Sequence, residues 1–297
     1  MPKETPALET ITWKIGGEAG FGIMSTGEMF ARVCMRAGMH VFSYPEYPSI
    51  VRGGHNTAQV TASPEPMLAH RTNVSLLVAL NKETVDLHLA EMVPQGIILY
   101  DTSDRTFSAF NPASVQRSDL QLIGLPLAAL TKTGGGPKLM RNTAALGACC
   151  ALLGIPSDNL ADVIHIMFQK KGAGVVRLNT NVLMAGYNAV TPAQQERCAW
   201  KITPTQHQHT MALMTGNDAL ALGALQAGCQ FYSAYPMTPS SSILHFLAQH
   251  GPAYGAVVRR GEEEIAAIHN AIGGAFTGVR AMPAPSGGGF SLRAEAG

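Results

Sequence analysis

Two α/β domains in tandem are predicted by three features of the sequence: strands and helices that alternate, a scarcity of charge beside abundant glycine, and a change of composition after residue 187. The chain has 297 residues and is 46% hydrophobic, enough to bury two ordinary cores. Charged residues make up only 14% while glycines number 31, a mixture that suits buried parallel strands joined by tight turns.

The first strand is expected at residues 11–15, followed by the turn GGEAGFG at 16–22 and a helix over 24–37 with Met29, Phe30 and Val33 on one side. Strand, glycine turn and helix make one βα unit. Further strands are expected at 41–44 and 57–61, and the continuous apolar run 74–80 is of the fully buried kind. A helix over 82–92, strands at 96–100 and 120–123, and helices over 142–153 and 160–169 complete a domain spanning residues 8–187. Residues 188–212 hold TPAQQERCAWKITPTQHQHT, rich in Pro and Gln with no sustained period, and read as a linker. Its His207 and His209 read as exposed chain rather than metal ligands.

A second α/β pattern occupies 213–297: helix 217–227, strand 230–234, the turn YPMTPS at 235–240, helix 241–249, strand 255–259, helix 263–276 and strand 280–284, running into SGGG at 286–289. Three strands are few for an open sheet, so the end of the chain reads as an interruption of this domain.

Several function classes are disfavoured. Lys plus Arg is 21 against 20 for Asp plus Glu, a balance without the concentrated basic surface that nucleic acid requires. No apolar run is long enough to cross a bilayer, and the start MPKETPALETITWKIGG lacks the order of a secretory signal, which points to a cytoplasmic protein. The five cysteines, Cys34, Cys149, Cys150, Cys198 and Cys229, form no CxxC pair and read as buried thiols, not cluster ligands.

Gly17, Gly20 and Gly22 could wrap a diphosphate at a helix start. Their spacing is not GxGxxG, no Lys-Ser/Thr pair follows, and no acidic residue clearly ends the second strand, although Glu46 is near. A tight structural or interface turn is the favoured reading, with a nucleotide-binding oxidoreductase as a competitor. Arg52 and His55, in RGGH, could bind an anion, but their exposed loop favours a contact surface.

Four stretches carry a resemblance: GGEAGFGIMSTGEMFARVCMRAG with YPEYPSIVRGGHNTAQV, GNDALALGA at 216–224, YPMTPSS at 235–241, and EEEIAAI at 262–268 continuing through GGAFTGVRAMPAPSGGGFSL. Together they resemble the 2-oxoacid:ferredoxin oxidoreductase family, in the arrangement that fuses a gamma domain ahead of the alpha subunit. The resemblance implies a gamma-type α/β domain at 8–187, followed by the first part of a pyrimidine-binding α/β domain of a thiamine diphosphate enzyme. It implies oxidative decarboxylation of a 2-oxoacid, with the acyl group passed to coenzyme A and electrons to ferredoxin. The fused order leans towards 2-oxoglutarate. The thiamine diphosphate would be shared with a beta subunit, on which Mg²⁺ and an iron–sulfur cluster are expected.

Chemistry then assigns roles to matched residues. A carboxyl bonded to N1′ of the aminopyrimidine stabilises the imino tautomer, whose nitrogen can take the proton from the thiazolium carbon. Glu264 is the best match to the family's cofactor glutamate and Glu263 the runner-up; the plainer reading of residues 262–264 is acidic decoration of a helix start. Thr238 matches a family threonine near substrate and cofactor, with a hydroxyl able to donate to a 2-oxoacid. Ser240 and Ser241 read as helix caps. Ser286, with Gly287, Gly288 and Gly289, would form a close-approach loop beside the cofactor or partner.

Some positions depart from the family pattern. Pro283 and Pro285 stand where Thr or Ser is usual, and Arg293 stands where an apolar residue is usual. The family arginine that clamps the substrate carboxylate has no counterpart in these residues, so the chain alone is expected to be inactive. The alternative to an enzyme subunit is a docking module whose second domain no longer works.

Overall fold

The computed structural model describes residues 10–20, 22–48, 53–103, 110–203 and 211–294. The chain divides into two compact units, Met1–Met211 and Ala212–Gly297. Arg52, His207, His209 and the side chain of Arg293 lie outside the described residues.

The first unit is built on strands β1 (Ile11–Glu18), β2 (His40–Glu46), β3 (His55–Ser63), β4 (Val74–Ala79), β5 (Met92–Asp101) and β6 (Gln121–Leu125). They form one mixed sheet in the order β2-β3-β1-β4-β5-β6. The hairpin β2–β3 lies antiparallel against β1, whereas β1, β4, β5 and β6 run parallel. β4 is buried along its whole length, which is why its sequence is a continuous apolar run.

β1 runs beyond the expected 11–15 because its pairing with β3 continues through Gly16↔Thr57, Gly17↔Asn56 and Glu18↔His55. Nothing local in a pair of glycines announces that ladder. The turn proper carries Gly20 and Gly22 at φ 91° and 70°, in the left-handed region that glycine adopts without strain. Helix α1 (Ile23–Arg36) follows, and its Phe30 stacks on Trp13 of β1 at 4.5 Å between ring centres.

Helix α2 (Lys82–His88) is capped by Asn81, whose side chain accepts from the Thr84 amide. It ends earlier than the expected 82–92: a single 3₁₀ turn, Leu89–Glu91, leads directly into β5. Beyond β6 come α3 (Leu127–Thr133), α4 (Arg141–Leu152), α5 (Ser157–Phe168), α6 (Ala173–Asn188) and α7 (Pro192–Arg197). Every residue of α4 is buried. It crosses α6 so closely that a Cβ at Gly147 would lie 2.0 Å from the Leu183 carbonyl oxygen, and one at Gly186 1.8 Å from that of Ala144. The sequence does not announce α3, α6 or α7. α6 opens at Gly172 and contains Asn, Thr and Gly residues of low helix propensity, so its packing on α4 sustains it.

The stretch after Tyr187 contains α7, closed by a capping box between Thr191 and Gln194. Beyond it, Trp200 Nε1 donates to the Gln95 carbonyl at 3.0 Å, and the Ile202 amide to that of Leu153 at 2.9 Å. Residues 192–202, read from sequence as linker, therefore pack onto the first unit. All five cysteines are buried thiols, and burial pushes Cys149 up to about 12.

The second unit has three short parallel strands, β7 (Phe231–Ala234), β8 (Val257–Arg260) and β9 (Ala281–Pro283), in the order β8-β7-β9. Helices α8 (Gly216–Gln226) and α9 (Ser241–His250) bury Ala221, Leu225, Ile243, Leu244 and Leu247 against Tyr232 and Ala234 of β7. Helix α10 (Glu264–Phe276) lies on the opposite face, where a Cβ at Gly274 would meet Phe231 at 3.0 Å. Pro283 ends β9, where its missing amide is tolerable. Residues 287–293, expected to begin as a loop, form helix α11 (Gly287–Arg293). Among the described residues no helix is long and apolar enough to cross a membrane.

Candidate functional site

In parallel α/β sheets the loops beyond the carboxyl ends of the strands form the ligand crevice, at the point where strand order reverses. The second unit has such a point between β7 and β9, since β8 lies on the far side of β7. The three stretches that the sequence singles out, 235–241, 262–268 and 285–289, all leave these carboxyl ends.

Their positions are set locally. Thr215 caps α8 in a capping box with Asp218. At the second residue of that helix, Asn217 Nδ2 donates to the Pro239 carbonyl at 2.8 Å and to Ser242 Oγ at 2.7 Å. The first helix of the unit thus holds the YPMTPSS turn, which includes a cis Thr238–Pro239 peptide. Ser240 stands at the start of α9 but does not cap it through its side chain; its hydroxyl donates to the Met237 carbonyl at 2.9 Å. Across the crevice, Ser286 Oγ meets the sulfur of Met237.

The three glutamates separate sharply. Glu262 and Glu263 are exposed, while Glu264, the first residue of α10, is only 8% exposed. Its Oε1 is buried with no hydrogen-bond partner among the described residues. A buried carboxyl oxygen without a donor costs free energy unless something else supplies one. Gly289 of α11 lies directly over this side chain: a Cβ there would stand 2.8 Å from Glu264 Cγ, 3.6 Å from Oε1 and 3.3 Å from Pro285 Cβ. Only glycine lets α11 approach so closely.

The structure therefore brings Ser286 against Met237, and Gly289 against Glu264. Thr238, Gly287 and Gly288 lie on the exposed side, and Gly287 and Gly288 belong to the first turn of a helix instead of a loop. Gly289 is the glycine of the run that touches Glu264. No periodicity distinguishes it from its two neighbours, and only the packing of α11 does. An open depression lined by Gly228, Gln230 and Arg280 lies at the amino ends of β7 and β9, away from these residues. Among the described residues no group of three or more His, Cys, Asp or Glu side chains is arranged to hold a metal ion.

The fit to a thiamine ring rests on Glu264. An acidic side chain, enclosed at a strand-end crevice with one oxygen lacking a donor, has the chemistry that a protonated ring nitrogen satisfies.

Comparison with known proteins agrees with this architecture. The family described as pyruvate ferredoxin/flavodoxin oxidoreductase matches residues 12–189. A second, described as pyruvate flavodoxin/ferredoxin oxidoreductase, thiamine diphosphate-binding, matches residues 222–296. A 2-oxoacid:ferredoxin oxidoreductase subunit alpha from a Sulfolobus species is 25% identical over 96% of this chain and 51% of its own length. A 2-oxoglutarate synthase subunit from Archaeoglobus fulgidus is 48% identical over 85 residues, covering 29% of this chain and 25% of the relative. Among solved structures, the 2-oxoglutarate:ferredoxin oxidoreductase from Magnetococcus marinus superposes with a TM-score of 0.84 at 29% identity, over 96% of this chain and 49% of that one. The chain spans about half the length of the long relatives it matches. With a gamma-type domain ahead of the start of a pyrimidine-binding domain, it belongs to the pyruvate ferredoxin/flavodoxin oxidoreductase family, in the arrangement of a fused alpha subunit.

Proposed function

We propose that this chain furnishes the aminopyrimidine-facing side of a thiamine diphosphate site in a 2-oxoacid:ferredoxin oxidoreductase. The observation that carries the proposal is the enclosed, unpartnered Oε1 of Glu264 beneath Gly289. Bound thiamine diphosphate supplies the carbon nucleophile with which a 2-oxoacid is decarboxylated. Glu264 would hold the proton shared with the ring nitrogen N1′, and its enclosure keeps water from competing for that bond. Thr238, exposed on the rim, offers a hydroxyl donor to the 2-oxoacid. Ser286, held against Met237, fixes the strand-end loop from which α11 starts.

A beta-type partner would bind the diphosphate with Mg²⁺ and carry the iron–sulfur cluster. The acyl group would pass to coenzyme A and the electrons to ferredoxin. We favour 2-oxoglutarate as the substrate. The fused domain order and the 2-oxoglutarate enzymes among the relatives support that choice.

The test is substrate-dependent viologen reduction by the chain assembled with a beta-type subunit. Glu264→Gln, which keeps size and shape, should lower kcat by roughly 10²–10⁴-fold, the range of a positioned proton-transfer group. Glu263→Gln should leave it unchanged. Equal activity of the Glu264→Gln assembly and the unsubstituted one would remove the proposal's basis.

A further inference from the structure

The first unit holds a hydrogen-bonded chain of ionisable side chains that the site above does not use. Lys14 of β1, 4% exposed, donates from Nζ to Glu91 Oε2 at 2.8 Å. The other oxygen of Glu91 lies 2.8 Å from His88 Nδ1, and His88 Nε2 lies 2.9 Å from His55 Nε2. Glu46 of β2 stands 3.8 Å from Lys14 Nζ and accepts from Thr57 Oγ1 at 3.1 Å. The chain thus ties β1, β2, β3, α2 and the 3₁₀ turn together on one face of the sheet.

The partners dictate the tautomers. Glu91, with an ammonium on one oxygen, is ionised, so His88 donates to it from Nδ1 and its Nε2 is an acceptor. His55 therefore donates from Nε2, which leaves its Nδ1 a lone pair. That atom is buried and has no hydrogen-bond partner among the described residues. A single proton lies between the two rings.

His55 opens β3 and packs beside the glycine turn. A Cβ at Gly16 would lie 3.1 Å from its Cε1, and the neighbouring Gly54 carbonyl accepts from the Ala19 amide at 3.2 Å. We propose that the His55–His88 contact is a proton-operated latch, which closes the start of β3 onto α2 and the turn after β1 and opens when His55 takes up a second proton.

That proton would enter at Nδ1, where it leaves a buried N–H without an acceptor among the described residues, and would add positive charge to a cluster that already holds Lys14. Burial, His88 and Lys14 oppose charging of His55, while Glu83 and Glu46 favour it; the outcome is an imidazole held below its ordinary range. A lowered value in the folded state means that the closed form binds fewer protons than the open one. The latch is therefore closed above the ordinary histidine value of about 6.5 and opens as pH falls below it.

Hydrogen exchange of the full chain, read by mass spectrometry at pH 8 and pH 5.5 and corrected for intrinsic rate, tests this. Peptides spanning residues 16–20 and 53–57 should lose protection on acidification by several-fold and by no more than about tenfold, the limit that an open-state imidazole of ordinary value sets one pH unit below it. In His55→Gln, which removes the ring that gains the charge, the loss should fall below about twofold, whereas His88→Gln, which leaves His55 buried, should keep part of it. The peptide from α4 should keep its protection throughout. Equal protection at both pH values in the unsubstituted chain would overturn the latch. So would an acid loss that persists undiminished in His55→Gln, or one that α4 shares.

Discussion

The two units use the same grammar of parallel strands and crossover helices, yet they differ in how completely they cover their apolar surface. In the first unit a six-stranded sheet is flanked by helices, and α4 is buried at every position. In the second, a three-stranded sheet leaves Phe276 93% exposed and Phe290 71% exposed. The polar groups differ in placement. Lys14 and Glu91 in the first unit pair with each other, whereas Oε1 of Glu264 in the second is buried at a strand-end crevice with no hydrogen-bond partner among the described residues.

The largest test of this contrast is at the α4–α6 crossing. Gly186→Ala sets a Cβ into the Ala144 carbonyl and should destabilise the first unit by about 3 kcal/mol, at the upper end of overpacking costs. Urea unfolding followed by fluorescence reads this unit specifically, because Trp13 and Trp200 both lie in it. Gly287→Ala, where a Cβ would meet nothing within 4 Å, should leave the second unit's stability unchanged.

Next in size is Asn217→Ala, which removes both donations to the YPMTPSS turn. A cost of about 1 kcal/mol is expected, together with faster proteolysis near residue 239. Weaker again is the acid response of Glu91. Burial raises its pKa, but the hydrogen bonds from His88 and Lys14 outweigh that and leave it lowered. Its contribution is therefore complete above the ordinary carboxylate range and is lost as pH falls through the lowered value. Screening at a partly exposed carboxylate limits the effect to below about 1 kcal/mol. Glu91→Gln should flatten the acid limb of unfolding followed by tryptophan fluorescence. The smallest effect is expected from Phe276→Ser, at a side chain 93% exposed: a stability change of the second unit within about 0.5 kcal/mol in urea unfolding followed by circular dichroism.

Much of the fold was legible because its signals are local. The apolar run at 74–80, the βα alternation and the turn residues at 235–240 needed no partner to be read. α6 was not legible: its glycines and polar residues read as breakers until α4 lies against them. The extension of β1 through Gly16 and Gly17 likewise depended on β3. In the crevice, the choice of stretches and the preference for Glu264 over Glu263 came from the resemblance, and the enclosure of one side chain and not the other came from the packing. Adjacent glutamates at a helix start are equivalent until the helix turns one of them inwards.

By itself the sequence determined the two α/β domains, the family and the segments that meet at the strand ends, because strand period, turn chemistry and motif order are properties of a linear chain. Only the tertiary structure decided that Glu264 and not Glu263 is enclosed, that Gly289 covers it, and that His55 reaches His88. Burial and hydrogen bonding depend on surfaces brought together from distant parts of the chain, and no local pattern encodes which atom is left without a partner.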